Sequence, residues 1–386
     1  VNLLMRAPEM VQMLAHSENL ELRPRDLLSR SMSRDIERAS DRAAAVASVR
    51  ALRRSELCRI ALADVLGAAD VTTVGLALSD LAGATLDAAL ELARREVEAP
   101  PVGVIGMGRW SGCELGYASD TDAMFVIPDG SGPEEQAAAT RLVRLACDLV
   151  GKPGPEPAMV VDAGLRPEGK GGPLVRTVSS YLTYYAKWSS VWEAQALLRA
   201  RPAAGEQELA SAVLGELGGL RYPDGGLTTA QVAEIRRLKS RMENERIPRG
   251  MDKERHLKLG SGGLSDVEWA VQLLQLQHAG ARPALRTSST LQAIDAAEGL
   301  ELLTAKQATD LREGWLHVSR VRNAIMLVRG RPGDALPVDY REQSAVAELA
   351  GYGPGQRSRL VDDTIRVMRR ASRVVNRVFW DEMPEE

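Results

Sequence analysis

Two consecutive prolines, Pro100-Pro101, divide this chain into stretches of different pattern, and that division limits the fold more than any other feature. Proline cannot continue a helix and restricts the residue before it. Ahead of the break, Leu52 to Glu98 carries Leu, Ile and Ala at three- and four-residue spacing with acids and arginines between, a helical pattern. Behind it come three short apolar runs of buried-strand type: Pro101-Val-Gly-Val-Ile-Gly, Ala123-Met-Phe-Val-Ile-Pro and Ala158-Met-Val-Val-Asp-Ala. Between the last two, Pro133 to Val150 reads as an amphipathic helix with Leu142, Leu145, Ala146 and Leu149 on one face. A brief fourth strand is expected at Pro173-Leu-Val-Arg-Thr. From Ser179 onward the pattern is helical again, with turns near Gly225-Gly226, Gly260 to Gly263 and Gly330 to Gly333. The fold class expected is therefore α+β and mostly helical: a small mixed-sheet core flanked by helical regions and followed by a C-terminal helical bundle. Its boundaries are placed at 1–98 for the N-terminal helical region, 99–225 for the sheet-bearing domain and 226–386 for the bundle.

Composition narrows the function classes. At roughly 100–200 residues per domain, 386 residues predict two or three domains, each with its own core. An aromatic fraction of 4%, with two Phe, favours helices packed through small residues. A net charge of −3 gives no overall attraction to nucleic acid or anionic lipid. Cys58, Cys113 and Cys147 are odd in number and widely spaced, which argues against a disulfide framework and a zinc site. His16, His256, His278 and His317 are scattered without ligand spacing. No apolar stretch of about 18 residues runs without charge, so no membrane span is expected. Arg6 and Glu9 stand where a signal peptide would have its apolar region. The chain starts at Val1 rather than Met, so a piece of a larger protein is expected, as is a cytoplasmic location.

The chemistry centres on a glycine-rich turn and three aspartates. Gly106-Met-Gly-Arg-Trp-Ser-Gly112 follows the first strand, where glycines let a backbone approach phosphate. A dinucleotide-binding fold would need a helix of some three turns before the next strand; only Cys113 to Ser119 is available, interrupted by Gly116. Ser119-Asp120-Thr121-Asp122 heads the second strand. Side chains alternate in a strand, so Asp120 and Asp122 project from one face about 6–7 Å apart. A hard divalent cation between them relieves their repulsion. D-x-D by itself is more often two solvated acids at a strand end. A third acid, Asp162, stands in an apolar run where an unpaired carboxylate is costly, and it joins the others if its strand lies beside the second. Three carboxylates, a glycine-rich turn and basic residues form the constellation of two-metal phosphoryl transfer.

These residues give the chain a resemblance to the polymerase-β-type nucleotidyltransferases and, more narrowly, to the glutamine synthetase adenylyltransferases. The matching stretches are Gly106 to Asp122, Asp162-Ala-Gly-Leu-Arg-Pro-Glu-Gly-Lys-Gly-Gly-Pro-Leu174, Trp192-Glu-Ala-Gln-Ala-Leu-Leu-Arg-Ala-Arg201 and Lys258-Leu-Gly-Ser-Gly-Gly-Leu-Ser-Asp-Val-Glu-Trp269. The resemblance implies a nucleotidyltransferase catalytic domain in which Asp120, Asp122 and Asp162 hold two Mg²⁺, with ATP as substrate. It further implies a tyrosine of glutamine synthetase as acceptor, a PII signal protein as a further partner, and a second half of the same enzyme elsewhere. The wording Glu-Leu-Gly-Tyr-x-Ser-Asp looks more like the C-terminal, adenylylating half than the adenylyl-removing one, although both halves share the acids. Gly108, Arg109, Ser111, Gly112 and Ser119 then belong to the nucleotide-binding turn. Ser111 stands where glycine is usual in the family, Cys113 where a basic residue is, and Gly164 where a polar or basic one is.

Other candidates are shared with ordinary structural roles. Arg109, Arg166 and Lys170 are placed to contact phosphate or to be solvated loop residues. Glu193, Gln195, Arg199 and Arg201 are expected on a helix after the sheet, where a stripe of Trp192, Gln195 and Arg199 is either a packing face or functional. Ser265 and Asp266 can cap the helix after Gly260-Ser-Gly-Gly263, and Lys258, Asp266 and Glu268 are candidates to close over the nucleotide. Residues 234–258 hold nine Lys or Arg against five acids, and 357–377 hold seven Arg against Asp362 and Asp363. Such basic faces are either solvated or dock an acidic partner; no aromatic residues interleave with them as nucleic-acid binding would need.

Overall fold

The computed structural model describes residues 10–11, 20–154, 156–247 and 250–381. His16, Arg6 and Glu9 lie outside them. The chain divides into two compact units, one of Val1–Leu115, Ser119–Ser189 and Arg199–Leu217, the other of Gly116–Ala118, Ser190–Leu198 and Gly218–Glu386.

In the first unit the helical pattern before the prolines resolves into α1 (Arg25–Arg38), α2 (Arg42–Val65) and α3 (Val71–Arg94). Asp41 and Asp70 cap the last two, each accepting a backbone N–H three residues on. Helix α3 is long and apolar enough to cross a membrane by length and composition, but 78% of its most apolar window is buried inside the fold. Its small residues, among them Ala77, Ala84, Ala88, Ala89 and Ala93, let α1, α2 and a later helix approach it closely.

The strands are β1 (Gly103–Met107), β2 (Thr121–Ile127), β3 (Val161–Asp162), β4 (Val175–Thr177) and β5 (Ala200–Gly205). Among the described residues they make one five-stranded sheet in the order β3-β2-β1-β5, with β4 also on β2. β1 runs antiparallel to β2 and to β5, while β3 and β4 run parallel to β2. A one-turn helix, α4 (Gly108–Ser111), follows β1. An antiparallel β1–β2 pair excludes the dinucleotide-binding alternative, whose strands are parallel and joined by a crossover helix. Helix α5 (Pro133–Gly151) starts with proline at its first turn and buries Leu142, Val143, Ala146 and Leu149, leaving Leu145 half-buried. Next come α6 (Val178–Trp188) in this unit, α7 (Val191–Leu198) in the other, and, after β5, α8 (Gln207–Glu216).

β5 corrects the expectation that the chain from Ser179 onward holds only helices and turns. Its sequence, Ala-Arg-Pro-Ala-Ala-Gly, has little intrinsic strand preference. It is a strand because β1 offers an open edge, and Pro202 is tolerated there because edge strands need not donate every N–H. The register shifts between Val104 and Ile105, opposite this proline.

The second unit is helical: α9 (Gly218–Arg221), α10 (Thr229–Arg246), α11 (Leu264–His278), α12 (Thr290–Gly299), α13 (Ala305–Arg329), α14 (Tyr340–Leu349) and α15 (Arg357–Phe379). Val191, Ala194 and Leu198 of α7 belong to its core with Leu264, Val267, Trp315, Val318, Leu360 and Phe379. The whole is α+β and mostly helical.

Candidate active site

The glycine-rich turn is built from the end of β1. Gly108 has φ +55, and a Cβ there would lie 2.8 Å from Asp122 Oδ2. Only glycine both adopts that backbone and leaves room for the carboxylate. The turn then closes on itself: the N–H groups of Gly112, Cys113 and Glu114 donate to the carbonyls of Gly108, Trp110 and Arg109 at 3.3, 3.2 and 2.9 Å. The fully buried Trp110 donates its indole N–H to Ser79 O on α3 at 3.1 Å. Ser111 is 1% exposed, so its hydroxyl lies inside the fold rather than on the turn's surface. Gly112 is buried too, and Cys113 holds φ +56 with its thiol pushed up by burial.

Arginines fasten this turn from behind. Arg199 donates from Nε to Gly108 O at 3.1 Å and from a terminal nitrogen to Glu114 Oε2 at 2.6 Å. Arg201, in β5, donates to Ser111 O at 2.9 Å and Trp110 O at 3.3 Å. Arg109 turns back to Glu114 O at 2.7 Å. Arg199 and Arg201 thus lie off the helix on which the sequence pattern places them: Arg199 is the turn residue just after α7, and Arg201 belongs to β5. Glu114 went unassigned in the sequence. It opens the Glu-Leu-Gly-Tyr-x-Ser-Asp wording, but its structural role is not legible there because its buried partner is 85 residues away.

Of the three acids, Asp120 is exposed just ahead of β2 and Asp122 is half-buried within it. The parallel pairing of β2 with β3 puts Asp122 opposite Asp162, on strands about 4.8 Å apart. Asp162 is exposed, contrary to the cost argument drawn from its apolar run. Met159 is buried but Val160 is 59% exposed, because β3 is a two-residue edge rather than a central strand. Asp162 Oδ1 accepts the N–H of Gly164 at 2.7 Å, a local Asx turn, and a Cβ at Gly164 would crowd that oxygen at 2.9 Å. Ser119, half-buried, precedes Asp120. In the loop after β3, Arg166 donates to Ala163 O, Lys170 O and Gly172 O at 2.7, 3.1 and 3.2 Å. Its guanidinium therefore shapes the loop that carries the exposed Lys170.

Among the described residues no group of three or more His, Cys, Asp or Glu is gathered closely enough to hold a metal ion. The donor chemistry nonetheless suits a hard cation: the Asp122 and Asp162 carboxylates stand on adjacent strands, with Asp120 just ahead of β2, and Asp120 and Asp162 are exposed.

Within the helical unit, Lys258 is exposed, Glu268 half-buried and Asp266 buried. The N-cap of α11 is Gly263, not Ser265 or Asp266. Asp266, one turn in, accepts the Gly262 N–H at 2.6 Å and pairs with Lys239, a fully buried lysine that also pairs with Glu243. The Lys239 ammonium lies 6.0 and 5.8 Å from the ring centres of Trp269 and Phe379. Asp266 and Glu268, two positions apart on one helix, do not share a face.

Comparison with known proteins adds to this geometry. A family model described as glutamate-ammonia ligase adenylyltransferase matches residues 1–216, and one described as GlnD PII-uridylyltransferase matches residues 231–380. The chain is 51% identical over 383 residues to the bifunctional glutamine synthetase adenylyltransferase/adenylyl-removing enzyme of Cutibacterium acnes, covering 99% of this chain and 39% of that protein. The proteins of the same name from Mycolicibacterium smegmatis and Mycobacterium tuberculosis are 46% and 45% identical, each over 98% of this chain and 39% of theirs. The chain thus spans about two-fifths of the length of these relatives.

Proposed function

The chain belongs to the glutamate-ammonia ligase adenylyltransferase family, and from that premise we propose that it carries one nucleotidyltransferase centre, which moves AMP from ATP to a tyrosine hydroxyl of glutamine synthetase. The observation that carries the reading is the register that sets Asp122 opposite Asp162, beside a turn whose glycine leaves space for the Asp122 carboxylate. Asp120, Asp122 and Asp162 would hold Mg²⁺, two ions in the full site. Bound there, Mg²⁺ supplies positive charge to the phosphates and to the attacking oxygen.

In this reading the tyrosine oxygen forms a bond to the α-phosphorus, the bond from that phosphorus to the bridging oxygen breaks, and pyrophosphate leaves. Asp162 takes the hydroxyl proton at Oδ2, since Oδ1 is engaged by Gly164. The backbone of the Gly108–Gly112 turn cradles the triphosphate, because the Ser111 hydroxyl is buried. Lys170 is the exposed cation of the next loop, whereas Arg166 acts by holding that loop's shape. A PII signal protein and the other catalytic half of the enzyme are the further partners proposed, in the cytoplasm. The reverse reaction, phosphate attacking adenylyl-tyrosine to release ADP, would use the same acids.

The test is transfer of label from α-labelled ATP, with Mg²⁺, onto unmodified glutamine synthetase. We expect labelled synthetase with the native chain and none with Asp120→Asn, whose circular dichroism should be unchanged. Phosphate-dependent release of ADP from pre-adenylylated synthetase, without forward labelling, would assign the chain to removal. Near-normal labelling by Asp120→Asn would sink the metal assignment.

A further inference from the structure

We infer that Arg199 and Glu114 act as a positioning pair for the acid site: they fix the Gly108 turn at the place that decides where the Asp122 carboxylate can lie. The inference rests on the reading of Asp122 as a metal ligand. Both side chains are nearly inaccessible, at 7% and 5% exposure, and their charges meet at 2.6 Å. Burying such a pair is costly unless its geometry is good and its remaining donors are used. Here the guanidinium does two jobs at once, gripping the Glu114 carboxylate and donating from Nε to the Gly108 carbonyl. Glu114 is itself tied to the turn, because its backbone N–H donates to Arg109 O and its carbonyl accepts from Arg109 Nε.

The consequence reaches the site through Gly108. Its α-carbon stands where any added Cβ would come within 2.8 Å of Asp122 Oδ2. A shift of the turn toward β2 therefore crowds that oxygen, and a shift away widens the space beside it. Arg201 fastens the far side of the turn, at Trp110 and Ser111, and touches neither Gly108 O nor Glu114 among its described bonds. The two arginines thus divide the labour: Arg201 anchors the turn, and Arg199 sets its metal-facing end. A planar guanidinium reaches the carbonyl and the carboxylate along two fixed directions, so lysine at 199 keeps the charge and loses that geometry.

The experiment measures Mn²⁺ binding to the full chain, read from the loss of the free-ion paramagnetic resonance signal and independent of turnover. Native protein is compared with Arg199→Lys, Glu114→Gln, the double variant and Arg201→Lys, each checked for native circular dichroism. Outer partners of metal ligands are typically worth 10–100-fold in affinity, so about tenfold weaker binding is expected in each single variant at position 199 or 114. Because both act through one turn, the double variant should be no weaker than the worse single one. Arg201→Lys should bind as the native chain does. Unchanged affinity in folded Arg199→Lys and Glu114→Gln overturns the pairing, as does an equal loss in Arg201→Lys. If one of the two variants fails to fold, the other decides alone. Failure of the native chain to bind Mn²⁺ at all strikes instead at the acid site itself, before any variant is compared.

Discussion

Asp162 Oδ1 is taken by the amide of Gly164, so one oxygen of that carboxylate serves its own loop and the other faces outward. The same economy recurs at other single residues. Lys239 is fully buried, and it is tolerable because Asp266, Glu243 and two aromatic rings surround its ammonium. His317 is half-buried against Thr364, with its Nε2 at 2.8 Å from the hydroxyl. Burial, opposed in part by Asp363, holds its imidazole down at about 4. The unfolded chain protonates that ring near pH 6.5, whereas the folded chain refuses the proton until about pH 4. The folded state therefore binds fewer protons between those values, and acidification through that window costs stability, up to ~3 kcal/mol. Urea unfolding at pH 7 and pH 4.5 should show the loss, and His317→Gln should show less of it. An equal pH dependence in that variant would place the titration elsewhere.

At the scale of elements, what was legible depended on whether an element made its own case. α5 announced itself through a proline start and a regular apolar stripe, and both appear in the structure. β1 and β2 were legible as apolar runs between glycine and proline. β5 was not, because its Ala, Arg and Pro residues become a strand only when β1 supplies the partner. β3 was overestimated: its apolar residues promised burial, yet its two residues pair at an edge. The β1–β5 contact is tight, since a Cβ at Gly106 would lie 2.7 Å from Ala203 Cβ and 3.1 Å from the Trp110 ring. Gly106→Ala should accordingly cost about 1–3 kcal/mol by overpacking. It should show as a lower denaturant midpoint; a native midpoint would mean that β5 can move away freely.

Over the whole molecule, units and chain order part company. α7 lies between segments of the first unit, yet Val191, Ala194 and Leu198 sit in the core of the second. A chain of residues 218–381 lacks them, whereas one of 190–381 keeps them. With burial of a Val or Leu side chain worth about 1.5–3 kcal/mol, the longer chain should unfold at clearly higher denaturant. Equal midpoints would show α7 to be dispensable to that core. Charge also looks different once folded. Arg366 pairs with Asp363, Arg369 with Glu254 and Arg370 with Glu313. Much of the basic run on α15 is thus spent inside its own unit, which leaves less of it to recruit an acidic partner.

The chain's own pattern determined its α+β class, the helices and the two central strands, because periodicity and proline breaks act over a few residues and need no partner. It also singled out Asp120, Asp122 and Asp162 and the glycines before them, since D-x-D beside a strand and a glycine-rich turn are local signals. Only tertiary structure decided that Asp122 faces Asp162, that Arg199 and Glu114 meet, that β5 is a strand and that Lys239 is buried. Each of these depends on segments dozens of residues apart arriving at one place, where an open strand edge or an unpaired charge must be satisfied.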